Sequence, residues 1–316
     1  MSVFLFKRLL TFILTLFGAS VIIFAAMEIL PGDPALVILG VDASPEAVQA
    51  LTEKLGLDRP VPERYFDWIT GVLGGDFGIS YSYKTPVSEL IIDSLKITVP
   101  LAIMAMLLAT AIAIVLGIYA AANHNRPADV GIMGISQLGI SIPSFWLGIL
   151  LVLLFAVNLR WFSAGGFPGW DRDFFGSFRA LILPAVSLAT VQAAILARIT
   201  RSAVLDVFRE DFVRTARAKG VSRRRALWGH VLRNALIPVI TIMGLQFANL
   251  LAGTVVIESV FTLPGLGQLV LKAINNRDLI IVEGTVLLLA AMVVAVNFLV
   301  DILYALIDPR LKVSDI

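Results

Sequence analysis

The chain has 316 residues, 58% of them hydrophobic and 15% charged, with 25 lysines and arginines against 23 aspartates and glutamates. Soluble domains average about 25% charged and about 45–50% apolar residues. A water-soluble fold this apolar would expose large sticky patches, and a mean hydropathy of +0.90 makes the bilayer the natural solvent. The absence of cysteine excludes disulfides, thiol nucleophiles and thiolate metal sites, and the two histidines, His124 and His230, lie too far apart in sequence to argue for a metal.

The first apolar run, Leu9 to Ala26, is longer than the roughly 7–15 residues of a cleaved signal. It ends at Glu28 and Pro31-Gly32-Asp33-Pro34 rather than at a small-x-small cleavage site, so it reads as a retained span. Six runs are long enough to cross a hydrocarbon core of about 30 Å, which takes about 20 helical residues. They lie near 9–30, 97–122, 130–157, 180–202, 235–257 and 282–307. Their continuity excludes the alternating strands of a barrel, so the expected fold class is an all-α polytopic membrane protein with six transmembrane helices. The fourth run is the weakest. Pro184 and Gln192 interrupt it, and Arg198 near its end can snorkel to the interface.

Between the first two runs, loop 31–96 is too long for a bare connector. Ser44 and Pro45 look like the N-cap and first residue of a short helix, with Val48, Leu51 and Leu55 on one apolar face and Gly56 ending it. Tyr65, Phe66 and Trp68 suggest a segment at the membrane interface. The loop reads equally as a packed external cap or as a partner-docking surface. The chain divides naturally into 1–96, the first span plus this loop, and 97–316, a five-helix core.

Orientation follows the lysines and arginines. Lys7 and Arg8 precede the first span, Arg126 sits in the link between the second and third, and Arg310 and Lys312 follow the sixth. The stretch 198–233 carries ten basic residues against three acids, whereas loop 31–96 carries ten acids against five bases. With six spans all the basic segments fall on one side, which places both termini in the cytoplasm.

The basic loop near 203–233 is the most informative stretch. Residues 206–219 read as a helix with Val207, Phe208, Val213 and Ala216 on its apolar side, and Gly220 suits a left-handed stop. Ser222 can cap a second helix running through Arg223-Arg224-Arg225 and Leu227-Trp228. Such a basic elbow with an apolar ridge could dock into a groove on a partner. It could equally be an ordinary positive-inside loop held near anionic lipid, at about 1 kcal/mol per basic residue.

Residue order separates these readings. The run Arg214-Thr215-Ala216-Arg217-Ala218-Lys219-Gly220 resembles the EAA loop of ABC importer permeases, in the version of the oligopeptide/dipeptide/nickel permease family. Ala216 and Gly220 stand in register with the general E-A-A-x-x-x-G pattern, while Arg214 and Thr215 replace its first two letters. Leu232-Arg233 stands where the general pattern has L-P, and the proline comes later, at Pro238. Those departures match the peptide branch, with its H-x-L-R-N-A-L-I-P from His230 to Pro238. The resemblance extends along the chain through Leu30-Pro31-Gly32-Asp33-Pro34, Leu55-Gly56-Leu57-Asp58, Gly75-Asp76-Phe77-Gly78 and Ile142-Pro143-Ser144-Phe145-Trp146. It continues through Leu183-Pro184-Ala185, Glu258-Ser259-Val260-Phe261, Leu263-Pro264-Gly265-Leu266-Gly267 and Asp308-Pro309-Arg310.

The resemblance implies a type I importer permease fold in the bacterial inner membrane. It implies a second, usually non-identical, permease subunit, two cytoplasmic ATPase subunits gripping the loops, and an external substrate-binding protein. Peptides are the leading substrate it implies, with nickel complexes, glutathione-like molecules and opine-type solutes as alternatives. ATP and magnesium would sit on the partner subunits, with no cofactor, metal or nucleic acid on this chain and no catalytic residue in it. The absence of any G-x-x-x-x-G-K-[ST] loop agrees with that division of labour.

A channel or secondary transporter would instead show ionisable residues in mid-span. Asn297 and Asp301 share one face of the sixth span, and pairing of Asp301 with a local cation is the expected role. Gln246 and Asn249 in the fifth span could line a pathway or act as interhelical glue. A non-transporting scaffold fits the composition but gives no reason for the ordered motifs.

Overall fold

The computed structural model describes residues 2–29, 34–40, 43–54 and 56–307. Residues 30–33, Leu55, the Asp308-Pro309-Arg310 motif and Lys312 therefore lie outside the described residues. The long apolar windows become α1 (Ser2–Ile29), α5 (Val87–Ala122), α8 (Phe174–Phe208), α11 (Leu232–Val260) and α13 (Leu279–Ile307). Before α5 come the short helices α2 (Pro34–Leu39), α3 (Pro45–Lys54) and α4 (Val61–Leu73). After it come α6 (Pro127–Ser141) and α7 (Ser144–Leu151), the latter continued by a π-helical stretch over Val152–Asn158. The loop elements are α9 (Asp211–Ala218) and α10 (Arg223–Ala226), and α12 (Leu266–Asn275) precedes the last span. Among the described residues five helices are long and apolar enough to cross a membrane, and six if the bent pair α6–α7 counts as one.

Contacts at the helix ends sort the chain into two faces. At one end, which we call the cap end, Ser80 meets Asp278, Trp170 Nε1 donates to the Lys96 carbonyl at 2.7 Å, and Gly166 N donates to the Phe261 carbonyl at 3.0 Å. At the other, the hairpin end, Arg201 meets Asp129, and Arg8 meets Asp301 at 2.9 Å. The alternation matches six crossings, and Asp301 pairs with a local cation as expected.

The centre of the bundle is the α5–α8 seam. Ala105, Ala109 and Ala113 of α5 and Ala189, Ala193 and Ala197 of α8 are all buried. Gly117 completes the stripe: a Cβ there would lie 2.6 Å from Thr200 Cβ and 2.7 Å from the Ala197 carbonyl. Between helices in lipid, where hydrophobicity gives no driving force, such small residues allow the close backbone approach that dispersion needs. The seam explains why the fourth run looked weak. In α8, 61% of the most apolar window is buried in protein, against 11% in α1, so α8 needs little lipophilic surface.

Two expectations are corrected. The third run is not one straight span: α6 and the α7 segment meet at 97°. Ile142, forced toward extended geometry by the ring of Pro143, sits at φ −88°, ψ 122° and breaks the helix. Pro100, Pro184 and Pro238 sit inside continuous helices instead. Nor is 206–219 one helix: α8 runs through Phe208, the chain turns at Arg209 and extended Glu210, and α9 starts afresh at Asp211.

The cap segment behaves largely as read. Ser44 Oγ accepts from Ala47 N at 3.3 Å, and Gly56 ends the α3 region with φ +65°. The aromatics of α4 serve packing more than the lipid interface. Tyr65 shares a hydrogen bond with Ser20 of α1 at 2.8 Å, and the ring of Phe24 lies 5.4 Å from Tyr65 and 5.7 Å from Trp68. Only Phe66 of the three is turned outward.

Candidate functional site: a basic hairpin, its clamp and the cap-end knots

The hairpin is built from its anchor outward. Val213 of α9, Ala226 of α10 and the π-helical Leu227 and Val231 bury against Ala203 and Val204 of α8 and Ile118 and Ala121 of α5. This apolar footing fixes the loop to the ends of the two seam helices. Gly220, at φ +89°, reverses the chain after α9, with its N–H donating to Arg217 O at 3.0 Å and Val221 N donating to Ala216 O at 3.2 Å. Ser222 Oγ then accepts from Arg225 N at 3.4 Å and starts α10. The left-handed stop and the serine cap fall where the residue pattern places them.

Of the seven motif residues, Arg214, Thr215, Arg217, Ala218, Lys219 and Gly220 are exposed. Ala216 is half-buried on the Val213 side, so it belongs to the hairpin's own footing as much as to an outer surface. Phe212 at 45% and Trp228 at 62% exposure are the large apolar side chains that the hairpin offers outward, and Phe212 went unnoticed in the sequence. Arg214 pairs with Asp211 at 3.1 Å in solvent, which contributes little. Arg223 lies over the Phe208 ring, 5.6 Å from its centroid, and so braces the turn rather than merely adding charge.

Beneath the hairpin is a clamp that residue order did not reveal. Arg201 of α8 donates from Nε and Nη2 to the two carboxylate oxygens of Asp129 at 2.5 and 2.7 Å. Asp129 is buried in the first turn of α6, where Asn125 N also donates to it at 3.0 Å. His124 Nδ1 lies 3.3 Å from the carboxylate and 3.1 Å from Arg201 Nη2. A bidentate pair fixes orientation as well as distance, so the α6 start cannot slide along α8. The only sequence signal for it was an aspartate just inside a proline-started helix.

The cap end is closed by two buried carboxylates. Glu258, at the end of α11, accepts from Thr98 Oγ1 at 2.6 Å, Gly267 N at 2.7 Å and Gln268 N at 3.3 Å, capping α12 across a tight turn. Thr98 Oγ1 in turn accepts from Leu266 N at 2.9 Å. A Cβ on Gly265 or Gly267 would run into the Glu258 carboxylate, and on Gly267 also into the Val255 backbone. The Glu258…Gly267 motif is thus one structural knot. Asp278 accepts from Ser80 Oγ at 2.6 Å and Ser82 N at 2.9 Å, tying loop 76–86 to the start of α13. Tyr81 between them has its phenol pushed up to about 12, mainly by burial and further by Glu283 and Asp278, so it stays a neutral donor at any physiological pH.

The polar pair of the fifth span is brought together: Asn249 Nδ2 donates to Gln246 Oε1 at 3.2 Å, with Asn249 exposed and Gln246 half-buried.

A helical bundle with five or six apolar crossings, a basic hairpin at one end and a knotted cap at the other is the architecture of a multi-pass membrane protein. The chain belongs to the family of binding-protein-dependent transport system inner membrane components. The model of that family matches residues 113–313, and the model of its N-terminal region matches residues 1–102. The chain is 43% identical over 312 residues to a peptide transport system permease protein of Brucella abortus strain 2308, covering 99% of both chains. It is 37% identical to the dipeptide transport system permease protein DppB of Escherichia coli K12, covering 98% of both. Among solved structures, an amino acid ABC transporter shares 19% identity over 71% of this chain and 95% of that chain, with a TM-score of 0.48. Membership places the protein in the inner membrane as a permease that works with an ATPase and a substrate-binding protein.

Proposed function

We propose that this chain forms half of the translocation pathway of an ATP-driven importer of peptides, with a second homologous permease subunit completing it. The peptide assignment rests on full-length relatives named for peptide and dipeptide transport. The observation that carries the coupling role is the hairpin: six of its seven motif residues face solvent, yet it is seated on buried Val213, Ala226 and Val231. Two ATPase subunits, holding the ATP and magnesium, would grip one such hairpin on each permease. Their closure would reach α5 and α8 through the footing, and α6 through the Arg201–Asp129 clamp. Gln246 and Asn249 would face the pathway. The hairpin end, with both termini, would be cytoplasmic, and residues 31–96 would form an external unit beside the five-helix core 97–316.

A chain without cysteine permits a direct test in the reconstituted transporter. A Ser82→Cys variant should react with an impermeant thiol reagent from outside, and Ser222→Cys only after permeabilisation; the reverse pattern overturns the orientation. Uptake of a dipeptide into proteoliposomes should require binding protein and ATP together. It should disappear in Gly220→Val at unchanged abundance, and normal uptake by that variant refutes the coupling role.

A further inference from the structure

Between the α7 segment and α8 the chain forms a concave pocket that neither the hairpin nor the knots explain. It encloses a cavity of ≈ 510 Å³, with Arg160 and Arg179 on its rim and Trp161, Phe167 and Ala180 among its walls. Arg179 is held in place: Nη2 donates to the Trp161 carbonyl, and the guanidinium lies over the Phe162 ring, 5.4 Å from its centroid. Neither arginine has a carboxylate partner among the described residues. Asp173, at the start of α8, turns its carboxylate to cap the helix, accepting from Gly176 N at 2.8 Å.

The far wall is fixed by backbone. Gly166 N donates to Phe261 O at 3.0 Å, and a Cβ on Gly165 would lie 2.5 Å from Thr262 Oγ1. Phe261 and Thr262 belong to the turn that Glu258 knots to α12, since Leu263 N donates to Glu258 O at 2.8 Å. An arginine and a tryptophan at a helix end are common at the lipid interface. That accounts for their exposure but not for a glycine-walled cavity bearing two uncompensated guanidinium groups.

We propose that this pocket is an oxyanion site that receives the terminal carboxylate of the peptide, with its last side chain against Trp161 and Phe167. Guanidinium groups bind carboxylates through paired N–H donors, and the aromatic walls favour an apolar residue next to that carboxylate. The inference rests on the peptide reading and on the outward orientation of the cap end. It adds that the permease itself senses the charged end of its cargo. A phosphate, from a lipid headgroup or from solution, offers the same chemistry.

Ser163 lines the pocket, and its hydroxyl donates to Gly165 O at 2.8 Å, so Ser163→Cys places a reporter inside it. In the full transporter in phosphatidylcholine nanodiscs, an anionic methanethiosulfonate reagent should label that cysteine at least about fivefold faster than a cationic one. Alanyl-phenylalanine should slow the labelling and alanyl-phenylalaninamide should not, whereas inorganic phosphate at equal ionic strength, lacking a side chain for Trp161 and Phe167, should need at least about tenfold more for the same effect. Arg160→Gln with Arg179→Gln should abolish both the rate bias and the protection. An absent bias, equal protection by acid and amide, or protection by phosphate at the concentration where the peptide protects overturns the proposal. So does protection only in phosphatidylglycerol nanodiscs, which would give the pocket to a headgroup. Dipeptide uptake by the unmodified transporter, measured alongside, judges the peptide reading separately from the pocket.

Discussion

The two ends of the bundle use glycine for opposite reasons. At the cap end Gly265 and Gly267 are glycines because the Glu258 carboxylate occupies the space a side chain would need. At the hairpin end Gly220 has no atom within 4 Å of where its Cβ would lie, and only its φ of +89° selects glycine. The cap end is therefore over-determined by its own chain: buried carboxylates, backbone donors and packed turns specify one another. The hairpin surface is under-determined. Its footing is fixed, but among the described residues nothing constrains the outer faces of Thr215, Ala218 or Lys219. The solvent-facing side chains of Thr215, Ala218 and Lys219 are thus chosen by something other than the packing of their own bundle.

The sharpest way to break that contrast is to attack the cap. Gly267→Val should abolish folded protein, because the new side chain meets both backbone and a buried carboxylate. Glu258→Ala should also lose about 3 kcal/mol or more by leaving buried N–H groups at Gly267 and Gln268 unpaired. Both are read as the folded fraction by fluorescence-detected size exclusion, and a well-folded Gly267→Val would show that the knot is not rigid. The clamp comes next. Arg201→Ala leaves Asp129 charged and buried, at about 3–5 kcal/mol, whereas the double variant Arg201→Leu, Asp129→Asn should recover much of the loss. Thermal unfolding in detergent measures the coupling, and additive losses would mean the pair does not act as a unit. The hairpin variants should be the mildest in stability. Gly220→Ala costs roughly 1 kcal/mol of left-handed strain, and Arg214→Ala should leave the melting temperature unchanged. If Gly220→Ala unfolds the protein, the hairpin is as over-determined as the cap.

Much of this was legible in the sequence for physical reasons, and the misses have physical reasons too. Apolar length marked the crossings, because lipid allows few alternatives. Turn chemistry at Ser44, Gly56, Gly220 and Ser222 was readable because caps are local. The break at Ile142–Pro143 was equally local, yet the apolar run continues through it, and hydropathy does not register direction. The loss of register at Arg209–Glu210 hid inside a plausible amphipathic stretch from Val207 to Ala216. Asp129 with Arg201, and Thr98 with Glu258, pair residues 72 and 160 positions apart. No single-chain pattern announces such partners. Gln246 and Asn249 stand out by spacing and are hydrogen-bonded in the fold, but spacing alone does not say which helix face is wet.

The bend between α6 and α7 also decides how the third crossing is held. Fifteen residues of α6 reach only about 22 Å at 1.5 Å each, and the segment after Pro143 is no longer. Neither arm crosses a bilayer core of about 30 Å alone. α8, which follows the pair in the chain, packs against both arms and holds them at this angle. The bend thus makes the third crossing a composite whose shape is set by a helix that follows it in the chain.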